Sequence, residues 1–358
     1  MLEFSGVTGG IHNWLSAHFG ETGTMLMEML IAGVVILLGM ILMSFTLGYM
    51  ERKVAAFMQL RLGPNRVGFK GTLQIIADTL KLLFKESFAP GTSDKLLFNL
   101  APFIVVVVTM LSIAPLPIDP ALQLFDINIG VFYVSSVTSI SVIGILVAGW
   151  SSNNKYSLLG AMRSGAQIVS YELSAGISLV VIVAFAGSMK FSDIVLSQAD
   201  AWWIFKGHIP ALIAFVIFII AGTAELNRAP FDMAEAESEL TGGFHTEYPG
   251  MRFAMFLLAE YVNLFILAGI GATLFLGGWM PFHLWDLEGF NHVMDYIPPV
   301  VWFFGKTFFL IFVIMWFRWT FPRLRIDQLL TLEWKYLMPI SLVNLILVAL
   351  VVIMGWHF

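Results

Sequence analysis

The chain has 358 residues, 58% of them hydrophobic and 12% charged, with a formal net charge of −5 and no cysteine. A soluble domain carries about twice that share of charge, so this balance, with a mean hydropathy of +0.85, points to lipid as the solvent. Disulfides, thiolate iron–sulfur ligation, cysteine-based zinc and thiol nucleophiles are excluded in this chain, and the acidic balance gives no nucleic-acid reading.

The 11 Trp and 32 Phe agree, since aromatic side chains crowd membrane interfaces. The first basic residue is Arg52, so no cleavable signal peptide is expected. Residues 1–24 read as a Gly-containing lead-in at the membrane surface. A spanning helix needs about 20 mostly apolar residues. Eight segments qualify: 25–47, 96–117, 129–150, 166–187, 209–226, 253–277, 300–321 and 336–356. The reading is an all-α polytopic membrane protein, a single membrane domain.

Basic residues set the expected orientation. The connections after spans one, three, five and seven, with their flanking span ends, hold 16 Lys and Arg, and everything else holds Lys190, Lys206 and Lys306. Under the positive-inside rule those connections are cytoplasmic and both termini lie outside.

The first of these connections, 48–95, is too long for a turn. Gly63-Pro64-Asn65 breaks it. Beyond the break Leu73, Ile76, Ala77, Leu80, Leu83 and Phe84 recur at helical spacing, with Gln74, Asp78, Lys81 and Lys85 on another arc. This predicts an amphipathic helix over about 71–87. It either lies in the cytoplasmic interface or serves as an ordinary connecting helix with a solvated polar face. The connection 150–165 is polar and Gly-bearing, and 318–335 is Arg-dense. The external connections 115–126 and 278–299 carry acids but no Lys or Arg.

Several acids lie where hydrocarbon is expected. Glu172 sits in the fourth span and Glu260 in the sixth; Glu28 lies near the outer end of the first and Glu51 at its inner end. Intramembrane carboxylates are expensive and mark function by default. The plain reading of a single one is a structural partner for an Arg or a backbone group. Glu28 reads as an interface residue.

The stretch 224–252 adds Glu225, Asp232, Glu235, Glu237, Glu239 and Glu247, opposed only by Arg228 and Arg252. Glu235 and Glu239 would share a face if helix continued, with Glu237 nearly opposite. Like charges so close repel, so some stay protonated or are compensated by basic groups. A solvated docking patch is the other reading. His245 is the only histidine near this cluster, and a lone histidine is more often structural than proton-carrying. The seven histidines show no metal-ligand spacing, and there is no phosphate loop or GxGxxG in a βαβ unit, so nucleotide and flavin sites are not expected.

Six stretches carry a resemblance: ERKVAAFMQLRLGPNRVG (51–68), IADTLKLLFKE (76–86), GWSSNNKYSLLGAMRSGAQIVSYE (149–172), AELNRAPFDMAEAESEL (224–240), GMRFAMFLLAEY (250–261) and RWTFPRLRIDQLL (318–330). With them the chain resembles the quinone-site membrane subunit of respiratory complex I, the family of subunit 1 and its bacterial H counterpart. Met50, Leu226 and His245-Thr246 depart from the usual residues without removing a charge. The lead-in and the loop 278–299 match weakly.

The resemblance implies a subunit of a proton-translocating NADH:quinone oxidoreductase that anchors the peripheral arm and forms part of the quinone chamber. Arg52, Arg61, Asp78, Arg318 and Arg323 would stand on the tunnel side. Glu172, Glu225, Asp232, Glu235, Glu237, Glu239, Glu247 and Glu260 would begin the proton path. Quinone, ubiquinone or menaquinone, is the implied substrate. FMN and Fe–S clusters would reside in partner subunits, and no redox centre in this chain. The implied partners are peripheral quinone-site subunits, small membrane subunits and lipid. The extended N-terminus favours a bacterial cytoplasmic membrane over a mitochondrial inner membrane. A related hydrogenase or other-donor complex could share such an anchor. A stand-alone cation transporter would call for inverted repeats, which the sequence does not display.

Overall fold

Backbone polar groups in hydrocarbon must satisfy one another, which leaves the long apolar stretches one economical choice, the helix. The computed structural model describes residues 4–120, 122–234, 237–283 and 288–355, with the backbone alone for residues 4–8, 11, 237, 238, 288 and 290. In chain order the helices are α1 (Phe4–His18), α2 (Glu21–Met58), α3 (Gln74–Phe84), α4 (Lys95–Ile113), α5 (Gly130–Ser151), α6 (Lys155–Ala186), α7 (Phe191–Leu196) and α8 (Trp203–Lys206). They continue with α9 (His208–Glu225), α10 (Glu237–Leu240), α11 (Met251–Phe275), α12 (Glu288–Asp295), α13 (Pro299–Thr320), α14 (Ile326–Leu332) and α15 (Met338–Ile353). Among the described residues, eight helices are long and apolar enough to cross a membrane: α2, α4, α5, α6, α9, α11, α13 and the continuous run Ile326–Ile353. The chain is an all-helical polytopic membrane protein.

Helix α11 is the axis of the bundle. Every residue from Leu264 to Phe275 is buried, as expected of a helix apolar all round. It packs on α2, α4 and α13, while α6 packs on α5, α9 and α15. Small residues set the close approaches. A Cβ on Gly149 would stand 2.3 Å from the Cβ of Ala161, and one on Gly160 would stand 2.8 Å from the Cα of Gly243. The second of these lets the loop before α11 lie directly on α6.

Several helices run past the apolar segments that announce them. Helix α2 has 38 residues, about 57 Å at the usual rise, well beyond a hydrocarbon core of about 30 Å. Its extra turns carry Glu51, Arg52 and Lys53, so Glu51 lies within the helix and not at its end. The connection expected at 150–165 is mostly helix. Asn153 adopts a left-handed conformation, and the Asn154 side chain accepts from the Tyr156 amide at 2.9 Å. That cap starts α6 at once. Helix α15 is reached from α14 without a break, through a π-helical stretch Glu333–Leu337.

The amphipathic segment forms α3 with none of its residues buried. Leu80, Leu83 and Phe84 are exposed on it. The acidic stretch does not continue as helix. Among the described residues past Glu225, helix is confined to α10 and a single turn at Gly243–His245. Glu235 lies outside the described residues, and of Glu237 only the backbone is described.

Candidate functional site

Helix α9 ends at Glu225 for local reasons. Asn227 takes a left-handed conformation, which Asn tolerates well. Gln167 of α6 then closes the end, its Nε2 donating to the carbonyls of Ala224 at 2.7 Å and Phe231 at 2.6 Å. From the other side Arg323 donates to the Asp232 carbonyl at 2.7 Å and pairs with the Asp232 carboxylate at 2.9 Å. The Leu324 amide donates to the Pro230 carbonyl at 3.1 Å. These bonds hold residues 226–232 as a fixed strap.

The strap delivers Arg228 into the bundle. Its side chain is 1% exposed. Its Nη1 donates to Glu51 Oε2 at 3.1 Å, and its Nη2 lies 3.0 Å from Glu260 Oε1. Its guanidinium carbon stands 5.2 Å from the Tyr261 ring centre. Arg318 of α13 pairs with the other oxygen of Glu51. Burial works against the Arg228 charge, but Glu51 and Glu260 push its pKa above the usual arginine value. Four segments, α2, the strap, α11 and α13, are therefore joined by one buried ion network.

Three cavities lie along this network. The outermost is a cleft of about 740 Å³, lined by Arg52, Arg61, Gln74 and Trp319 together with Glu51, Tyr261 and Arg318. The last three also line a second cavity of about 290 Å³, where they meet Glu260, His245 and Glu225. Glu225, Ser141 and Asn263 in turn line a third space of about 70 Å³, which reaches Glu172. Glu172 accepts from the Ser139 hydroxyl of α5. Among the described residues neither Glu172 nor Glu225 makes an ion pair. The series thus runs from ion-paired groups at the cleft to two half-buried acids with no ion pair among the described residues.

The remaining candidates distribute as follows. Asp78 pairs with Arg52 and accepts from Gln74 at 3.1 Å. Desolvation raises its carboxyl, but the hydrogen bonds and charge of Arg52 outweigh it and hold the group below the usual carboxylate range. Arg61 donates to Gln59 at 2.6 Å. Arg323 does not line the cleft and instead secures the strap. Glu239 lies 2.7 Å from Arg163, and Glu247 accepts from Asn154 at 2.7 Å. Neither lines the three cavities. Burial pushes the His245 imidazole down to about 4 and the Tyr248 phenol up to about 12. Glu28 lies 2.7 Å from His12, away from the site. Among the described residues no group of His, Cys, Asp and Glu could hold a metal ion.

Sequence reasoning places Glu51 at a span end and treats Arg228 as mere balance. The structure makes them the centre of the network. The signal that could have found them is the Glu51-Arg52 pair inside an otherwise apolar helix, and an arginine amid acids with no exposed role.

The family model for NADH dehydrogenase matches residues 31–349. Among known proteins, the NADH-quinone oxidoreductase H subunit of Bacteroides fragilis is 57% identical over 358 residues, the whole of both chains. The corresponding H subunit of Brevibacillus brevis is 47% identical over 323 residues, 90% of this chain and 93% of that protein. NADH-quinone oxidoreductase subunit 8 of Rhodothermus marinus is 48% identical over 317 residues, 87% and 93% of the two chains. With both its sequence and its eight apolar helices accounted for, the chain belongs to the NADH dehydrogenase family of membrane subunits, that of the NADH-quinone oxidoreductase H subunits.

Proposed function

We propose that this chain admits quinone to a proton-translocating NADH:quinone oxidoreductase and passes the effect of quinone reduction into the membrane. The observation that carries this reading is the shared lining of the three cavities, which links the arginine-lined cleft to Glu172 through Glu51, Glu260 and Glu225. The cleft has guanidinium donors for a polar headgroup and apolar walls at Leu62 and Trp319 for a hydrocarbon tail. Arg52, Arg61 and Arg318 would face the quinone, with Asp78 fixing Arg52. Partner subunits would complete the headgroup end and supply FMN and Fe–S clusters.

Coupling follows from charge. A change in charge or proton demand at the cleft acts on Glu51 and Arg318, which border the next cavity as well. Arg228 links that change to Glu260. Glu225 and Glu172, which make no ion pair among the described residues, would then exchange protons toward neighbouring membrane subunits. Asp232, Glu239 and Glu247 would act by holding the loop through Arg323, Arg163 and Asn154. Glu235 and Glu237 would belong to the proton path by resemblance alone. The chain would lie in a bacterial cytoplasmic membrane, with its basic connections inside and its termini outside.

The test is Glu225→Gln in membranes, with quinone reduction and proton pumping measured and assembly checked on a native gel. The amide keeps the shape and removes the exchangeable proton. Both activities are expected to fall together by about tenfold or more, as for loss of a proton-transfer group. An assembled variant that reduces quinone and pumps normally would remove Glu225 from the path and leave the acidic loop as a docking surface.

A further inference from the structure

One buried acid takes no part in this series. Glu333 begins the π-helical stretch between α14 and α15 and is 1% exposed. Single π turns of this kind occur often at functional sites. Leu329 and Leu337, one turn to either side of Glu333, belong with Tyr171 and Ala175 of α6 to one buried apolar cluster. Glu333 faces the side of α6 that carries Ser174, whereas Glu172 meets α5 through Ser139.

The hydrogen-bond accounting around Glu333 is specific. Its Oε2 lies 2.9 Å from the Ser174 hydroxyl oxygen. That same hydroxyl lies 3.3 Å from the Tyr171 carbonyl. A serine has one proton to give. If Glu333 is a carboxylate, only one of the two contacts is a hydrogen bond at a time. If Glu333 is the acid, it donates to Ser174, Ser174 donates to Tyr171, and both contacts are satisfied. Its other oxygen, Oε1, is buried with no partner among the described residues. An orphaned carbonyl oxygen is a modest cost, whereas an orphaned buried anion is a large one.

No cation offsets a charge there. Among the described residues Glu333 makes no ion pair. Lys335, two residues on, directs its ammonium over the Tyr336 ring at 5.7 Å. The titratable group facing Glu333 from α6 is Tyr171, whose hydroxyl donates to the Leu329 carbonyl at 2.9 Å.

We propose that Glu333 is a proton-binding site, occupied as the carboxylic acid, that fastens the α14–α15 junction to α6 beneath the strap 226–232. Loss of the proton would leave a buried anion between Ser174 of α6 and the π-helical stretch. That would favour entry of water and separation of α14 from α6. The strap would feel it directly, since Arg323 and Leu324, just before α14, hold Asp232 and Pro230. The site stands apart from the proton path proposed above; only its effect on turnover rests on that reading.

The experiment is infrared spectroscopy of the intact complex, comparing the parent with Glu333→Gln and Ser174→Ala. The expected result is loss of one carboxylic-acid carbonyl band in Glu333→Gln. The same band should move to higher frequency in Ser174→Ala, where its hydroxyl partner is gone. Loss of a carboxylate band in Glu333→Gln, with the acid region unchanged, overturns the proposal. If Glu333→Gln does not assemble, the Ser174→Ala spectrum decides alone, and an unmoved acid band overturns it. Turnover of Glu333→Gln should stay within about twofold of the parent, because the amide reproduces the neutral hydrogen bond. A loss as large as that expected for Glu225→Gln would contradict a fastening role. These spectra are informative even if Glu225 proves dispensable.

Discussion

The acids that line these cavities fall into two groups built in opposite ways. Glu51 and Glu260 share Arg228, and Glu51 also holds Arg318. Glu172 and Glu225, farther along the same cavities, make no ion pair among the described residues. A carboxylate flanked by guanidinium keeps its charge, while one without a cation has its neutral form open to it. On the reading proposed above, the first group would hold geometry and pass on charge at the cleft, and the second would serve the proton path. The first group lies on α2 and α11 and the second on α6 and α9, and it is to the first pair that the strap delivers Arg228.

The comparison breaks most easily at Arg228. Arg228→Met would leave Glu51 and Glu260 buried without their shared cation, a loss of roughly 3–5 kcal/mol for a broken buried pair. The expected outcome is failure of the complex to accumulate, read as the level of assembled enzyme on a native gel. Glu172→Gln, by contrast, keeps a partner for Ser139 and should accumulate normally. Equal assembly of the two variants would erase the distinction between structural and exchangeable acids.

A smaller effect is expected at the cleft mouth. Arg52 and Asp78 are 42% and 27% exposed, and pairs of this kind contribute about 0–1 kcal/mol. Arg52 holds Asp78 below the usual carboxylate range, so the pair's contribution is complete above the unfolded carboxylate pKa. It is lost only as pH falls through the lower, folded value. Asp78→Asn should therefore assemble at neutral pH. Its consequence should appear in quinone binding, as a rise of about two- to fivefold in KM with little change in kcat. An unchanged KM would take Arg52 away from the quinone and sharpen the case for Arg318 as the cleft's working cation.

Much of this architecture is legible in the sequence because lipid enforces it. Eight apolar stretches give eight long helices, and an amphipathic 3.6-residue pattern gives α3. Helix lengths were less legible. The turns that carry Glu51 in α2 and Lys155–Gly165 in α6 mix charged and small residues with apolar ones, so a hydropathy criterion stops before them, while caps and packing carry the helix on. The acids were visible as a group, but their partners were not. Pairing Arg228 with Glu51 requires two residues 177 positions apart to meet, and no local pattern encodes that. Glu333 escaped for another reason. In sequence it sits beside Lys335 in an Arg-rich connection, where an acid reads as solvated, and only the packing of α14 against α6 buries it.

A last test addresses the neutral side of the comparison without touching an acid. His245 lines the second cavity and is packed between aromatic rings, with Phe244 at 5.1 Å and Phe253 at 5.2 Å. Burial pushes its imidazole down to about 4. An unfolded histidine binds a proton near pH 6.5. Between those values the unfolded state holds more protons than the folded one, so stability rises with pH across that window and is lost as pH falls through it. The loss at pH 5 relative to pH 8 is at most about 2 kcal/mol. The check is residual quinone reductase activity after brief heating at pH 5 and at pH 8. The parent should lose more at pH 5, and His245→Gln should narrow the gap. An unchanged gap would mean that the imidazole already carries its proton in the fold. His245 would then belong with the ionised groups around Arg228, and the second cavity would carry fixed charge along its whole length.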